Sequence, residues 1–173
     1  MKHITTLFLF LTFCIFSNAQ NNFEAETKNM VEDGKKMANH FLKKEYDQFA
    51  NYMNPNIIKY TGGINNFKKI ITTSLPEEFE IIKAEIENPG QIVVEGNDLQ
   101  STLVQTIVIK NHEYQIITKS TLFAISFDKG KTWKFADISN STKEKIKLIV
   151  PNLSPKIVIP KKESPVFLEL DEE

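Results

Sequence analysis

Residues 99–139 read LQSTLVQTIVIKNHEYQIITKSTLFAISFDKGKTWKFADIS. Apolar and polar side chains alternate through most of this stretch, which is typical of β-strands with one buried face. Two short polar segments interrupt the alternation and are suited to tight turns. The stretch therefore predicts three long antiparallel strands over 99–110, 113–127 and 132–139, and they supply most of the apolar residues that could form a core.

The charges distinguish the two faces of this predicted sheet. A two-residue turn at Asn111-His112 pairs Ile109 with Tyr114, Ile107 with Ile116, Gln105 with Thr118 and Leu103 with Ser120. One face then carries Lys110, Glu113, Lys119 and Lys134, whereas the other carries a single acid, Asp137. A buried unpaired charge costs several kcal/mol, so we expect the face with Tyr114, Leu122 and Asp137 to point inward.

Helical segments precede the strands, and a proline-spaced tail follows them. Apolar spacing predicts a bent helical stretch over 21–53, an extended piece at 57–60 and a third helix at 64–71. After a short helix over 141–150, prolines recur through 151–173, which we expect to lie on the domain as an extended tail. The fold class predicted is α+β, with three N-terminal helices packed on a curved, mostly antiparallel sheet.

The first nineteen residues have the pattern of a signal peptide. A basic start is followed by the apolar run 4–16 and by Ser17-Asn18-Ala19, a small-x-small cleavage site. The run is too short to span a bilayer comfortably, which takes about 20 residues. We expect an exported chain, periplasmic or extracellular, with no membrane span after cleavage. Cys14 is the single cysteine, so the chain from Gln20 onward has none.

Composition excludes several functional classes. The formal net charge is -1, and all 21 basic residues are lysine, so the chain carries no strong positive field for nucleic acid. Enzymes that bind carboxylate or phosphate through an arginine fork are disfavoured. No spacing links His40 or His112 to carboxylates as metal ligands. We predict neither a metal nor another cofactor.

Residues 126–133, Ser-Phe-Asp-Lys-Gly-Lys-Thr-Trp, resemble the Asp-box hairpin of sialidases and other β-propellers. A sialidase would need several copies and an arginine cluster, and this chain has one copy and no arginine. We therefore interpret the motif as structural. Asp128 should accept hydrogen bonds from turn amides, Gly130 should take a positive φ, and Trp133 should pack beneath the turn.

The order of elements resembles the nuclear-transport-factor-2-like superfamily, which includes ketosteroid-isomerase-like and polyketide-cyclase-like proteins. The resemblance extends over roughly residues 25–140. It rests on Tyr46-Asp47-Gln48-Phe49, Asn54-Pro55-Asn56-Ile57-Ile58, Gly62-Gly63 with Phe67, and the strands of 99–139. It implies a cone-shaped roll in residues 20–150, open at one end. Some members of the superfamily use an Asp or His in the cone for catalysis, while many only bind ligands or dimerise.

Three functions fit these patterns. The leading one is a non-catalytic domain that binds a small apolar ligand or a partner in the cone, with Tyr60, Gln105, Tyr114, Thr118, Ser120 and Leu122 as lining residues. The second is an isomerase or hydrolase with Asp137 as general base and Tyr60 or Tyr114 polarising a carbonyl. The third is a structural interaction module.

We also expect a homodimer across the outer face of the sheet. That face carries Val104, Val108, Ile117, Phe123 and Ile125, and exposing all five to water would be unfavourable. The tail is the competing cover, since Ile157 and Ile159 could lie over the same residues and keep the chain monomeric.

Overall fold

The computed structural model describes residues 22–160 and 162–170. The predicted signal peptide, residues 1–19, lies outside this range. The helices are α1 (Glu24–Leu42), α2 (Tyr46–Ala50), α3 (Pro55–Tyr60), α4 (Ile64–Thr73) and α5 (Lys143–Ile149). The strands are β1 (Glu80–Glu87), β2 (Val93–Glu95), β3 (Asp98–Lys110), β4 (Tyr114–Ser126), β5 (Lys134–Asp137) and β6 (Val166–Glu169). Among these described helices, none has the length and apolar character needed to cross a membrane.

The strands form one open antiparallel sheet, and the fold class is α+β as predicted. The order is β1-β3-β4-β5, with β2 paired to β3 and β6 paired to β4. Strands β3 and β4 form the longest ladder, from Leu99 opposite Ser126 to Lys110 opposite Gln115. All the other strands join the edges of this central hairpin.

The hairpin turn differs from the prediction by one residue. The two-residue loop is His112-Glu113, because the Asn111 side chain accepts hydrogen bonds from the backbone N–H groups of Glu113 and Tyr114 at 3.0 and 2.7 Å. The predicted pairs are therefore wrong by two residues, and Gln105 lies opposite Ser120 instead of Thr118. A shift of two keeps each side chain on its face, so the inner and outer faces are as predicted.

The inner face packs against the N-terminal helices. Leu103, Leu122, Trp133 and Phe135 lie in one buried cluster with Met30 and Met37 of α1. Gly34 allows this close approach, because a Cβ built there would lie 3.0 Å from Leu103 Cδ1 and 3.1 Å from Ile86 Cγ2. The absence of a side chain at one position of α1 thus determines how near the helix lies to β1 and β3.

Four helices precede the sheet instead of three. The predicted bend is present, because α1 ends at Leu42 and Lys44 takes a φ of 58°. Residues 57–60, however, are helical and not extended. Pro55 occupies the first turn of α3, where its fixed φ and missing N–H are favourable, and the Asn54 side chain accepts from Asn56 N–H at 2.9 Å. A helix therefore begins where an extended segment is predicted.

The outer face is covered in part by the chain's own C-terminal region. Phe123, Ile125 and Ala136 are buried with Ile149 of α5, and Ile157 and Ile159 pack on this cluster. Three of the five residues expected at a dimer interface, Val108, Phe123 and Ile125, are already buried within one chain, and Phe123 and Ile125 belong to this cluster. For Phe123 and Ile125, the alternative to a dimer interface is therefore the one observed: the chain's own tail covers them.

A buried glutamine fastens this cover to the sheet. Gln100, on the outer face of β3, is fully buried. Its amide nitrogen donates to Asn152 C=O at 2.9 Å, and its amide oxygen accepts from Ser154 N–H at 2.9 Å. One side chain therefore satisfies two backbone groups of the segment that follows α5.

The 126–133 turn has the structural role predicted from its motif. Asp128 accepts from Thr132 N–H at 2.9 Å and from its hydroxyl at 2.8 Å, while Gly130 has a φ of 83°. Trp133 is fully buried, in the cluster that the inner face forms with α1. Burial on its own would raise the pKa of the Asp128 carboxyl, but the hydrogen bonds from Thr132 and Ser126 together lower it.

We predict that Gln100→Leu lowers the free energy of unfolding by about 2 kcal/mol, because it leaves the Asn152 carbonyl and the Ser154 amide without partners. Urea denaturation of the purified chain measures this. The exposed Gln91→Leu is the control and should change stability by less than about 0.5 kcal/mol. Equal effects of the two substitutions would mean that Gln100 does not anchor the C-terminal region.

We predict that Asp128→Asn is destabilising near neutral pH, by about 1 kcal/mol. A carboxyl whose pKa is lowered in the folded state stabilises it above the unfolded pKa, about 3.9, and this stabilisation is lost as the pH falls through the folded pKa. The difference between parent and variant should therefore shrink below about pH 4. Chemical denaturation across pH tests this, and a difference that grows in acid would contradict it.

Candidate functional site

The central part of the inner face carries a pair of polar side chains. Gln105 of β3 lies directly opposite Ser120 of β4. Their residues are 7% and 9% exposed. The neighbouring pairs on the same face are Leu103 with Leu122 on one side and Ile107 with Thr118 on the other. The structure thus brings together four predicted ligand-binding residues: Gln105, Thr118, Ser120 and Leu122.

Two of these polar groups have no hydrogen-bond partner within the described part of the chain. Thr118 donates its hydroxyl to the Ile107 carbonyl at 3.3 Å, but the Gln105 amide and the Ser120 hydroxyl bond to no described residue. Trp133 Nε1 is the buried side-chain atom that the described structure leaves without a partner. Unlike Trp133 Nε1, the side-chain polar atoms of Gln105 and Ser120 are not completely buried, so they keep some contact with solvent.

An interruption in the sheet edge lies beside this pair. On its outer edge β4 pairs with β6 through residues 114–117 and with β5 through residues 122–125. Between them, in the described structure, residues 118–121 have no strand partner on that edge. Leu170 N–H donates to Glu113 C=O, so hydrogen-bond alternation turns the backbone groups of Lys119 and Thr121 toward the gap. The sheet edge next to Ser120 is therefore unpaired over these four residues.

Asp137 lies at the rim of this region and not in its interior. It is opposite Leu122 on β5, as predicted, but its side chain is exposed. Its carboxylate accepts from Ser139 N–H at 3.1 Å and from the Ser139 hydroxyl at 2.6 Å. Asp137 is thus a strand-end carboxylate bonded to a neighbouring hydroxyl, because β5 ends at Asp137 and the carboxylate turns to the loop that follows.

The two predicted tyrosines lie elsewhere. Tyr60 ends α3, is 54% exposed, and its ring centroid is 5.5 Å from Lys145 Nζ of α5. Tyr114 begins β4 opposite Glu169, six residues from Ser120, which corresponds to about 20 Å along a strand. Tyr114 therefore does not share a site with the Gln105–Ser120 pair.

One cavity in the described structure is a groove that the sequence did not predict. Its volume is about 1450 Å³, and it lies between the start of α1, the segment leading into β2 and the tail. Phe23, Ile92 and Ile157 contribute apolar walls, and Glu24 and Lys156 contribute charges. Three segments far apart in sequence form it, so no local pattern could have revealed it. A smaller cavity of about 390 Å³ lies between α1 and β1.

The described residues contain no cluster of three or more histidine, cysteine or acidic side chains that could hold a metal ion. His40 Nδ1 lies 2.6 Å from Glu45 Oε2 at the bend between α1 and α2. The His40 ring also stacks on Tyr52, with centroids 5.8 Å apart. This pair holds the helical bend, and His112 lies in the β3–β4 loop.

Comparison with known proteins assigns no family. No protein-family model matches the chain, and neither does any curated protein sequence. The chemistry of the inner face and the order of the elements are therefore the grounds on which a function can be proposed.

We predict that Gln105→Leu leaves the free energy of unfolding unchanged or raises it, by up to about 1 kcal/mol. Gln105 has no described partner, and replacing a partly buried amide by an apolar side chain of similar size orphans nothing. Gln100→Leu is the matched control, since it makes the same change at a buried position of the same strand where the amide is bonded. A clear loss of stability in Gln105→Leu would show that Gln105 has a structural partner.

Proposed function

We propose that the inner face around Gln105 and Ser120 binds a small, mainly apolar molecule with one polar group. The observation that carries this proposal is the Gln105–Ser120 pair itself, two nearly buried polar side chains without a described protein partner in otherwise apolar surroundings. Ligand sites typically combine an apolar lining with a few polar groups that fix orientation. An amide and a hydroxyl side by side can both donate to and accept from a ligand oxygen.

The uneven cover of the inner face supports the proposal. Near Leu103 and Leu122 the side chains are buried under the helices. Toward the β3–β4 loop, Ile107, Ile109 and Ile116 on the same face are only partly buried. The cone of a nuclear-transport-factor-2-like protein would provide a face that is closed at one end and accessible at the other. We therefore also propose that this chain belongs to that superfamily.

Binding is favoured over general-base catalysis by the surroundings of Asp137. A catalytic base must reach the proton it removes and gains basicity from desolvation. The Asp137 carboxylate is exposed and hydrogen-bonded to Ser139, and Tyr114 is far along the strand. We therefore propose a carrier or sensor role, outside the cytoplasm, as the 1–19 pattern indicates.

We predict that Thr118→Phe weakens binding of an apolar fluorescent probe, anilinonaphthalene sulfonate, at least fivefold. The larger ring would occupy the open part of the inner face next to Ser120. Thr121→Phe is the matched control, because it makes the same change three residues away on the outer face. Fluorescence titration of the chain from residue 20 onward measures both, with circular dichroism to verify folding.

Equal probe affinities for the two folded variants would overturn the proposed site. Loss of binding in Thr121→Phe alone would place the probe on the outer face, and would also contradict the proposal.

A further inference from the structure

Strand β6 is held to the molecule by very little. Its four residues are all exposed, and Phe167 is 63% exposed. Neither buried cluster includes a residue of β6. Its attachment consists of backbone pairing with residues 114–117 of β4 and the side-chain contacts that accompany it. Four residues of edge pairing without burial are marginal in water.

The connection to β6 consists of six residues. Ile159 is the last residue that packs on the outer-face cluster, and residues 160–165 separate it from Val166. Six residues can span at most about 20 Å when extended. Pro160 and Pro165 in this connection favour extended conformations over a compact turn.

The edge that β6 occupies is a complete site for an extended strand. Tyr114, Gln115, Ile116 and Ile117 lie opposite Glu169, Leu168, Phe167 and Val166 in an antiparallel register. Leu170 N–H continues the pairing by donating to Glu113 C=O at 2.8 Å. The structure therefore shows both the acceptor edge and the sequence that fits it.

We propose that β6 is an exchangeable strand, and that the 114–117 edge of β4 accepts β6 from a second copy of this chain to form a strand-exchanged homodimer. Every contact of the closed form is reproduced in the exchanged form, since the two strands are identical. Exchange of one element is a low-cost route to a symmetric dimer. It needs no free outer face, unlike a dimer that would use the covered Phe123 and Ile125.

Exchange would also join the two copies at their inner faces. Phe167 lies opposite Ile116 and thus on the inner face, on the side of Thr118 that is only partly buried. In the exchanged dimer, Phe167 of the partner subunit would take this place. The accessible end of each inner face would then be bordered by the other copy.

Engineered cysteines distinguish closed from exchanged pairing, because the chain from residue 20 onward has no cysteine of its own. Tyr114 and Glu169 face each other across the β4–β6 pair. Equal amounts of the Tyr114→Cys and Glu169→Cys variants, each otherwise the full chain from residue 20, are mixed at high concentration and oxidised. Lys119→Cys mixed with Glu169→Cys is the control, since Lys119 is also exposed on β4 but lies outside the β4–β6 register. Mass spectrometry identifies the linked residues, and light scattering of the unmodified chain gives its mass.

The expected result is a covalent 1:1 dimer joined between residues 114 and 169, at least fivefold more abundant than the control product, and a mass that approaches twice that of one chain as concentration rises. A monomer at all concentrations with no 114–169 link between chains overturns the proposal. A dimer whose β6 strands pair with each other would instead be captured by Leu168→Cys linking to itself, and that outcome overturns it too. If the cysteine variants fail to fold, light scattering of the unmodified chain is the test. A mass that stays that of one chain at every concentration then contradicts the proposal.

Discussion

The antiparallel pairing of β3 with β4 in a single register is the constraint on which the rest of the structure depends. Side chains in a strand alternate between faces, so a slip of one residue would exchange every inner and outer position at once. In the observed register Leu103 and Leu122 point to the helices, while Phe123 and Ile125 point to the C-terminal region. Near these residues both long strands are thus buried on two sides, by parts of the chain from opposite ends of the sequence.

Strand β3 shows how differently two glutamines can behave in such a sheet. Gln100 points outward, is fully buried, and bonds to two backbone groups of the covering segment. Gln105 points inward, is almost as buried, and bonds to no described residue. The first amide has a structural explanation within the chain. The second lies opposite Ser120, next to an unpaired stretch of strand edge, and a bound molecule would give it a partner that the protein does not.

The sequence was sufficient where a period or a charge pattern dominates. Alternation through 99–139 predicted the three strands, and the four charges on one face identified the outer side. It failed where a single local interaction decides. The Asn111 side chain moves the turn by one residue, and Pro55 begins a helix where the apolar spacing predicts an extended segment. The exposure of Asp137 follows from where β5 ends, which alternation alone does not determine.

Features that distant segments of the chain form together could not be predicted from local sequence patterns. The groove between the start of α1 and the tail requires residues 156–158 to lie beside the other end of the chain. Strand β6 follows two prolines and has only four residues, so its pairing to β4 depends on an edge that the other strands leave free. The prediction that Gln105, Thr118 and Ser120 lie together on one face is correct although the predicted register is not. An error of two residues in register leaves every side chain on its own face.

Thiol accessibility in the folded protein tests the central claim most directly. Ser120→Cys and Ser101→Cys are nearly isosteric changes on neighbouring strands of one face, in a chain that has no other cysteine from residue 20 onward. Ser101 is fully buried and donates to the Gly90 carbonyl at 2.8 Å. If the inner face is open at Ser120, a small thiol reagent should modify Cys at position 120 in the folded state and leave Cys at position 101 unmodified until unfolding. Equal protection of both thiols would contradict an accessible inner face.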